Sequence, residues 1–187
     1  MKKIMMIAAM MLMSTGAFAQ EMFLKPMVGG TLTTFRGDVE NNKMKVGLVA
    51  GAEFGFMFNE NMGVTAGLLY AMQGSGIKHD DDKWNMDYLN IPILFNYYFI
   101  PGLAAKAGVQ PGILCRAKIG DLDVKDYMEK FDVSIPLGLS YEFSDFVIDA
   151  RYNLGLLNFL KDSHGTYWSG KAYNSVIQLT VGYKIPF

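Results

Sequence analysis

The sequence has almost no cysteine and almost no net charge. Cys115 is the only cysteine among 187 residues, so an intramolecular disulfide is impossible. Alternation around Cys115 places it on the apolar face of a strand, and no histidine or other base is near it in sequence. We therefore interpret it as a small hydrophobic residue and not as a catalytic thiol. The formal net charge of -1 provides no basic field that would attract nucleic acid.

Long apolar runs are scarce as well. The run from Ile4 to Met13 follows the basic Met1-Lys2-Lys3 and precedes the small-residue site Ala17-Phe18-Ala19. It is too short to span a membrane, and no stop-transfer pattern follows it. We predict a cleaved signal peptide at residues 1–19 and one domain at residues 20–187; an N-terminal core helix is the alternative. No cysteine follows the cleavage site, which argues against a lipid-anchored mature N-terminus.

Helical periodicity is missing beyond the predicted signal peptide, and strict alternation takes its place. The last strand shows it best, with apolar residues at Ile177, Leu179, Val181, Tyr183, Ile185 and Phe187. A period of two gives a strand one apolar face and one polar or small face. Ending such a strand on a phenylalanine is typical of the closing strand of a bacterial outer-membrane β-barrel.

The same alternation occurs eight times along the chain. The predicted strands cover 23–34, 44–58, 62–73, 85–99, 103–119, 131–143, 146–157 and 173–187. Tight turns at 59–61, 100–102 and 144–145 alternate with longer polar loops at 35–43, 75–84, 120–130 and 159–172, as in membrane barrels. The sequence therefore predicts an all-β fold, an eight-stranded antiparallel up-and-down transmembrane β-barrel.

The composition of the two faces favours lipid outside the barrel. One face is bulky and aromatic, whereas the other is mostly glycine, threonine, serine, glutamine and asparagine with scattered charges. A soluble barrel of lipocalin type would instead carry many lysines and glutamates on its polar face. Pro92, Pro111 and Pro136 fall inside three neighbouring strands and cannot donate to the ladder, so we expect bulges there that shift the inward and outward register.

Four charged residues of the polar face are predicted to meet in the lumen at similar heights: Glu53, Lys106, Asp149 and Arg151. Opposite charges in a confined space should pair, because an unpaired buried charge is very costly. The cluster could be an ion-pair plug, line a narrow wet passage or, least expected, hold a catalytic carboxylate pair. Arg116, Lys118 and Asp132 lie nearer the loops and could line the mouth.

The loops carry the remaining candidates. His164, Ser163 and Asp162 could suggest a hydrolase or acyltransferase at the rim, but adjacent residues seldom converge into a triad. The second histidine, His79, precedes the acidic run 80–82, which lacks the ligand spacing of a calcium loop and is interpreted as a solvated surface. Three aromatic residues are interpreted as an interfacial belt: Trp84, Tyr167 and Trp168. No catalytic, cofactor-binding or metal-binding residue is predicted.

Three segments carry a family resemblance: 88–93 (Tyr-Leu-Asn-Ile-Pro-Ile), 106–112 (Lys-Ala-Gly-Val-Gln-Pro-Gly) and 149–155 (Asp-Ala-Arg-Tyr-Asn-Leu-Gly). Over the whole mature chain the sequence resembles the PorT-like family of small outer-membrane β-barrels. The resemblance implies an eight-stranded barrel in the outer membrane, with a porin-like or undefined role. It offers no catalytic residues that match positions of this sequence.

The sequence as a whole predicts a non-enzymatic barrel with a structural or interaction role and a largely plugged lumen. A small porin-like diffusion channel is the alternative, followed by a rim enzyme acting on lipid. The expected partners are outer-membrane lipid and the barrel-assembly machinery, with Tyr183 and Phe187 as the assembly signal. We expect a monomer without cofactors and without nucleic acid; the sequence does not identify a partner for the loops.

Overall fold

The computed structural model describes residues 21–37, 42–77, 83–120, 122–158 and 172–187. The predicted signal peptide at residues 1–19 lies outside these ranges. Across the described ranges, the structure has no helix that is both long and apolar enough to cross a membrane.

The described residues form eight long antiparallel strands. They are β1 (Met22–Gly37), β2 (Lys45–Asn59), β3 (Met62–Ile77), β4 (Lys83–Asn90 and Ile93–Ile100), β5 (Leu103–Ile119), β6 (Phe131–Phe143), β7 (Phe146–Gly155) and β8 (Ala172–Tyr183, continued by Ile185–Pro186). Each strand pairs with the next along the chain, and β8 pairs with β1 in the register Thr31 opposite Gln178. The sheet is therefore closed, and the predicted eight-stranded antiparallel barrel is confirmed.

Tight turns join the strands at one end of the barrel. Glu60-Asn61, Pro101-Gly102 and Ser144-Asp145 occupy these turns, as the sequence predicts. Gly102 has φ +79° and Ser144 has φ +54°, so two of the turns use left-handed backbone. The opposite end carries short strands at Asn42–Lys43 and Leu122–Asp123 and a 3-10 turn at Lys125–Tyr127.

Strands β1, β3 and β4 extend further toward the long loops than predicted, β4 by beginning at Lys83 inside the predicted loop 75–84. β1 continues to Gly37 and β3 continues to Ile77, although the predicted loops begin at residues 35 and 75. Both ends still pair: the end of β1 pairs with β8 up to Gly37, which lies opposite Ala172, and the end of β3 pairs with Asn42–Lys43. Sequence polarity alone therefore places these loop boundaries too early.

The predicted orientation of the two faces is confirmed. Val46 and Leu48 are 73% and 64% exposed on the outer wall, while Thr31 and Thr65 are 1% and 2% exposed inside. An outer wall of large apolar side chains fits a lipid surrounding, which removes the cost that water would impose on them.

The expected register shifts at the prolines are wrong. Pro92 separates the two segments of β4, yet Asn90 pairs with Leu69 and Ile93 pairs with Ala66, which is one continuous register. Pro111 pairs with Val133, and Pro136 pairs with Asn153, without a bulge at either position. The carbonyl groups of two of the prolines still accept hydrogen bonds. Pro92 O accepts one from Gly67 N at 3.0 Å, and Pro111 O accepts one from Ile91 N at 2.8 Å. Each proline thus removes one hydrogen-bond donor from the ladder without shifting the register of the strands.

Apolar side chains also pack inside the barrel, in three layers along its axis. The layer at the tight-turn end consists of Phe23, Met57, Tyr98 and Ala104. The central layer consists of Met27, Val49, Leu69 and Ala71. The layer at the long-loop end consists of Phe35, Met86, Tyr88, Leu114, Ala117, Met128 and Ala172. The interior is therefore a packed core at these levels, as the small diameter of an eight-stranded barrel requires.

Candidate functional site

A group of buried charged side chains crosses the lumen between the tight-turn layer and the central layer. The lumen charge cluster consists of Lys25, Glu53, Lys106, Asp149 and Arg151, whose side chains are between 0% and 3% exposed. These side chains come from β1, β2, β5 and β7, so half of the strands contribute. The structure brings the four residues singled out from the sequence together and adds Lys25.

Asp149 is the carboxylate shared by all three cations. Its Oδ2 accepts a hydrogen bond from Lys106 Nζ at 2.6 Å and lies 3.8 Å from Lys25 Nζ. Arg151 donates to the same carboxylate twice, from Nε to Oδ1 at 2.5 Å and from Nη2 to Oδ2 at 2.8 Å. This two-pronged contact fixes the guanidinium plane on the wall of β7.

Glu53 holds the other side of the cluster. Its Oε2 lies 2.8 Å from Lys25 Nζ and its Oε1 lies 2.5 Å from Arg151 Nη1. Arg151 therefore bridges both carboxylates, while Lys106 depends on Asp149 alone. Three cations share two carboxylates, which leaves the lumen charge cluster with a formal net charge of +1.

Glycines opposite the charged residues make room for their stems. Gly67 pairs with Glu53, and a Cβ added at Gly67 would lie 2.6 Å from Glu53 Cγ. Gly138 pairs with both Lys106 and Arg151, and its added Cβ would lie 2.4 Å from Ala150 O. The alternation of glycine with charge along the polar faces is therefore a packing requirement of the narrow lumen.

Lys25 is the cluster member that the sequence reasoning missed. It shares strand parity with Thr31 and Thr33, which are buried on the inner face, and that parity would have identified it. Phe23 and Met27 flank Lys25 on the same buried face, so the inner face of β1 looks apolar at this level. The small and polar residues of this face begin only at Gly29.

A cavity opens at the tight-turn end, below the charge cluster. It has a volume of about 470 Å³ and is lined by Glu21, Met57, Asn59, Glu60, Tyr98, Gly102, Glu142 and Lys184. The Tyr98 hydroxyl donates to Glu142, and Lys184 Nζ lies 3.2 Å from the same carboxylate. Lys184 Nζ also lies 4.6 Å from the centroid of the Phe23 ring, a cation–π contact at the edge of the apolar layer.

The three residues predicted for the mouth do not lie together. Asp132 is buried in the lumen, but Arg116 is exposed on the outer wall, where Nη1 lies 3.9 Å from Asp87 Oδ2. The cause is a bulge: Asp87 pairs with Arg116 and Tyr88 pairs with Leu114, which leaves Cys115 as an extra residue. The predicted inward position of Arg116 is therefore wrong.

Lys118 is also displaced from the predicted mouth. It is half-buried, and it lies between Ala117 and Ile119, which both pack into the apolar layer at the long-loop end. Alternation beyond the bulge therefore directs Lys118 to the outer wall. Cys115 is exposed on the apolar face, where the sequence placed it.

The rim candidates fall outside the part of the chain that the structure describes. These are His79, the acidic run 80–82, Asp162, Ser163, His164, Tyr167 and Trp168, and the side chain of Trp84 is not described either. Among the described residues, no group of three or more histidine, cysteine, aspartate or glutamate side chains could hold a metal ion.

The C-terminal strand carries the predicted assembly signal on the outer wall. Tyr183 is 43% exposed and Phe187 is 66% exposed. The Tyr183 ring packs edge-on against Phe146 at 5.3 Å, and the Phe187 ring lies 5.9 Å from that of Phe54. Phe187 N donates to Met22 O at 3.0 Å, so the last residue belongs to the ladder that closes the barrel.

A closed barrel with an apolar outer wall and a packed, charged lumen defines an integral outer-membrane β-barrel protein. A family model described as "Outer membrane protein beta-barrel domain" matches residues 18–161. The chain belongs to this family of outer membrane β-barrel domains, and the outer membrane is its location. The tight-turn end therefore faces the periplasm and the long loops face outward. No curated protein matches the sequence significantly.

Three solved structures show the same fold. Neisserial surface protein A (NspA) aligns with a TM-score of 0.62 at 11% identity, covering 87% of this chain and 97% of that one. Ail, the attachment invasion locus protein of Yersinia pestis, was solved with the heparin analogue sucrose octasulfate; it aligns with a TM-score of 0.54 at 18% identity, covering 90% and 100%. OprG from Pseudomonas aeruginosa aligns with a TM-score of 0.50 at 15% identity, covering 88% and 96%. OprG is an outer membrane protein.

Proposed function

We propose that this protein is a non-enzymatic outer-membrane barrel whose lumen is closed to solutes and whose role is structural or in interaction with a partner. The observation that carries the proposal is the lumen charge cluster, in which five interlocked side chains from four strands are at most 3% exposed. A solute crossing the barrel would have to separate these ion pairs. Separation would leave charges uncompensated in a confined space, at a cost of several kcal/mol.

The apolar layers support a closed lumen independently of the charges. Tyr98 and Met57 lie below the lumen charge cluster, while Tyr88 and Met128 pack across the lumen near the long loops. Met128 is 3% exposed although it follows the 3-10 turn of a connecting segment, so this segment folds into the mouth of the barrel. A continuous wet passage would have to open at three levels.

Single-channel conductance in a planar bilayer tests the proposal. Refolded barrel should insert and give no stable steps, with insertion confirmed by the different migration of boiled and unboiled protein on a detergent gel. Reproducible steps would overturn the closed lumen and establish the alternative, a small diffusion channel. Under that alternative the net +1 of the lumen charge cluster would favour anions, which the reversal potential in a salt gradient measures.

The absence of enzymatic activity is a separate part of the proposal. The least favoured alternative is a rim enzyme that acts on lipid through His164, which lies outside the described residues. Cells with His164→Ala should have the same lipid composition as cells with the natural protein, and a strain that lacks the protein serves as the comparison. A lipid species that is lost both in the His164→Ala cells and in the strain without the protein would establish catalysis.

We also propose that the protein is a monomer of PorT-like type and that its C-terminal strand is read by the barrel-assembly machinery. The support is the exposed terminal aromatic residue, which lies on the outer wall at the periplasmic end. Phe187→Ser should reduce the amount of folded barrel in the outer-membrane fraction. Phe143→Ser is a matched control, because Phe143 is 69% exposed against 66% for Phe187 and lies on another strand.

Equal loss of folded barrel in both variants would show that Phe187 acts through general hydrophobicity and not as a signal. Cross-linking in the intact membrane tests the monomer. A ladder of discrete cross-linked species containing only this chain would contradict it.

A further inference from the structure

A second polar region lies in the lumen, between the lumen charge cluster and the apolar layer near the long loops. This polar chamber is lined by Gln73, Asn90, Gln110, Gly112, Asp132, Ser134, Asn153, Asn174 and Val176. Its lining contains one carboxylate and no lysine or arginine. With Asp132 ionised, the polar chamber carries one negative charge, in contrast to the lumen charge cluster.

Asp132 is a buried carboxylate whose hydrogen bonds with the described residues come from neutral groups. Its Oδ2 accepts a hydrogen bond from Asn174 Nδ2 at 2.8 Å, and its Oδ1 accepts one from Val133 N at 2.8 Å. No lysine, arginine or histidine among the described residues forms an ion pair with it. An ionised carboxylate that is buried without a counter-charge is strongly disfavoured, and a bound cation would supply the compensating charge.

Three residues that line the chamber have buried amide oxygens without a hydrogen-bond donor among the described residues. Gln110 Oε1, Asn153 Oδ1 and Asn174 Oδ1 are buried, and no described residue donates a hydrogen bond to them. The orientation of Asn174 is fixed, since its Nδ2 donates to Asp132 and to the Tyr88 hydroxyl. Turning this amide over would place its oxygen against the carboxylate. The Asn174 oxygen is therefore left as an acceptor that faces away from Asp132.

We infer that the polar chamber binds a small hard cation through the Asp132 carboxylate and the oxygens of Gln110, Asn153 and Asn174. Carboxylate and amide oxygens are the ligands that Na⁺ and Ca²⁺ share. The cavity between these side chains is about 10 Å³, which accommodates one particle of about the size of a water molecule. A single carboxylate neutralises one positive charge, so a monovalent cation leaves the chamber neutral.

Cation-dependent stability tests the inference. The refolded barrel is freed of metal with a chelator and dialysed into choline chloride, whose cation is too large for the chamber. The midpoint of thermal unfolding is then measured in NaCl, KCl or CaCl2 at matched ionic strength. At a tenfold excess of cation over its Kd, a rise of roughly 3–6 °C is expected for at least one salt.

Asp132→Asn removes the charge and keeps the shape, so its midpoint should not respond to any of the three salts. In choline chloride this variant should be at least as stable as the natural protein, because no unpaired charge is buried. Glu129→Gln is the matched control: Glu129 is exposed and outside the chamber, and this variant should keep the full response. The salt that gives the larger rise distinguishes a monovalent from a divalent cation.

Two results would overturn the inference: a midpoint that is insensitive to all three cations, or equal rises in the natural protein and in Asp132→Asn. If Asp132→Asn does not refold, Gln110→Met removes one proposed ligand with little change in volume. This second variant should weaken the cation response, and an unchanged response would also overturn the inference. Calcium retained after gel filtration, measured against choline-treated protein, provides a direct count for the divalent case.

Discussion

Replacing Glu53 with glutamine is expected to destabilise the barrel by about 3–5 kcal/mol, whereas replacing Lys106 with methionine is expected to change the free energy of unfolding by less than about 1 kcal/mol. Both side chains are buried in the lumen charge cluster, at 0% and 3% exposure. A simple loss of one ion pair would predict similar effects for the two substitutions. The asymmetry follows from the excess of cations.

The charge count gives the direction. With Glu53 removed, three cations face one carboxylate and the net charge of the cluster rises from +1 to +2. Lys25 then keeps only its contact with Asp149, at 3.8 Å, and Arg151 loses one of its two carboxylates. With Lys106 removed, two cations face two carboxylates and the net charge falls to zero. Asp149 remains paired with Arg151 at 2.5 Å, so no charge is left alone.

Urea unfolding of the refolded barrel in lipid vesicles measures both effects. Glu60→Gln is the control for the loss of a carboxylate, because Glu60 is exposed at a periplasmic turn and its substitution should stay within about 0.5 kcal/mol. Adding Lys25→Met to Glu53→Gln returns the cluster to +1 and should recover most of the lost stability. The coupling between the two positions is then read from the double-mutant cycle.

Equal destabilisation by the Glu53 and Lys106 substitutions would refute the charge count and leave packing as the dominant effect. A double variant as unstable as the sum of its singles would refute the pairing of Lys25 with Glu53. A Glu53→Gln variant of unchanged stability would show that the cluster is well hydrated, which would also weaken the proposal of a closed lumen.

Three further predictions concern the packing within and around the lumen charge cluster. Met128→Ala should lower the free energy of unfolding by about 2–5 kcal/mol in the same urea assay, because Met128 is buried in the apolar layer near the long loops. Tyr98→Phe should cost about 1 kcal/mol through the lost hydrogen bond to Glu142, and a change above 3 kcal/mol would contradict this. Gly138→Ala should lower the free energy of unfolding by about 1–3 kcal/mol, since its Cβ would lie 2.4 Å from a carbonyl oxygen. Gly30→Ala is the control: its Cβ would lie 3.7 Å from the nearest atom, so this variant should retain the folded band on a detergent gel.

Much of the fold follows from the period-two pattern. β5 and β6 begin and end at the predicted residues, and the tight turns lie where glycine, proline, asparagine and aspartate interrupt the alternation. A pattern of this kind is reliable because a slip of one residue would turn every apolar side chain of a strand into the lumen. The prolines do not disturb it, because a missing donor affects one hydrogen bond and not the direction of the next side chain.

The interior is harder to predict, for reasons that depend on three-dimensional contacts. Lys25 lies between Phe23 and Met27, so the inner face of β1 does not look polar at this level. Arg116 lies outside the lumen because of the bulge at Cys115, and no residue type in this segment predicts that bulge. Tyr88 and Met128 share one apolar layer because the segment that connects β5 to β6 folds back into the barrel. The period-two pattern of the strands does not predict the conformation of connecting segments.

The pairing of β1 with β8 has a consequence for chain topology. Leu24 lies opposite Ile185, and Phe23 lies opposite Pro186. Residues 21 and 187 therefore lie at the ends of two neighbouring strands, at the same rim of the barrel. A short linker between them, with a new opening at Ser144-Asp145, would give a circular permutant that keeps all eight ladders. In that permutant Phe187 becomes an internal residue while β8 is unchanged. Circular permutation thus separates what the end of the chain does from what the eighth strand does.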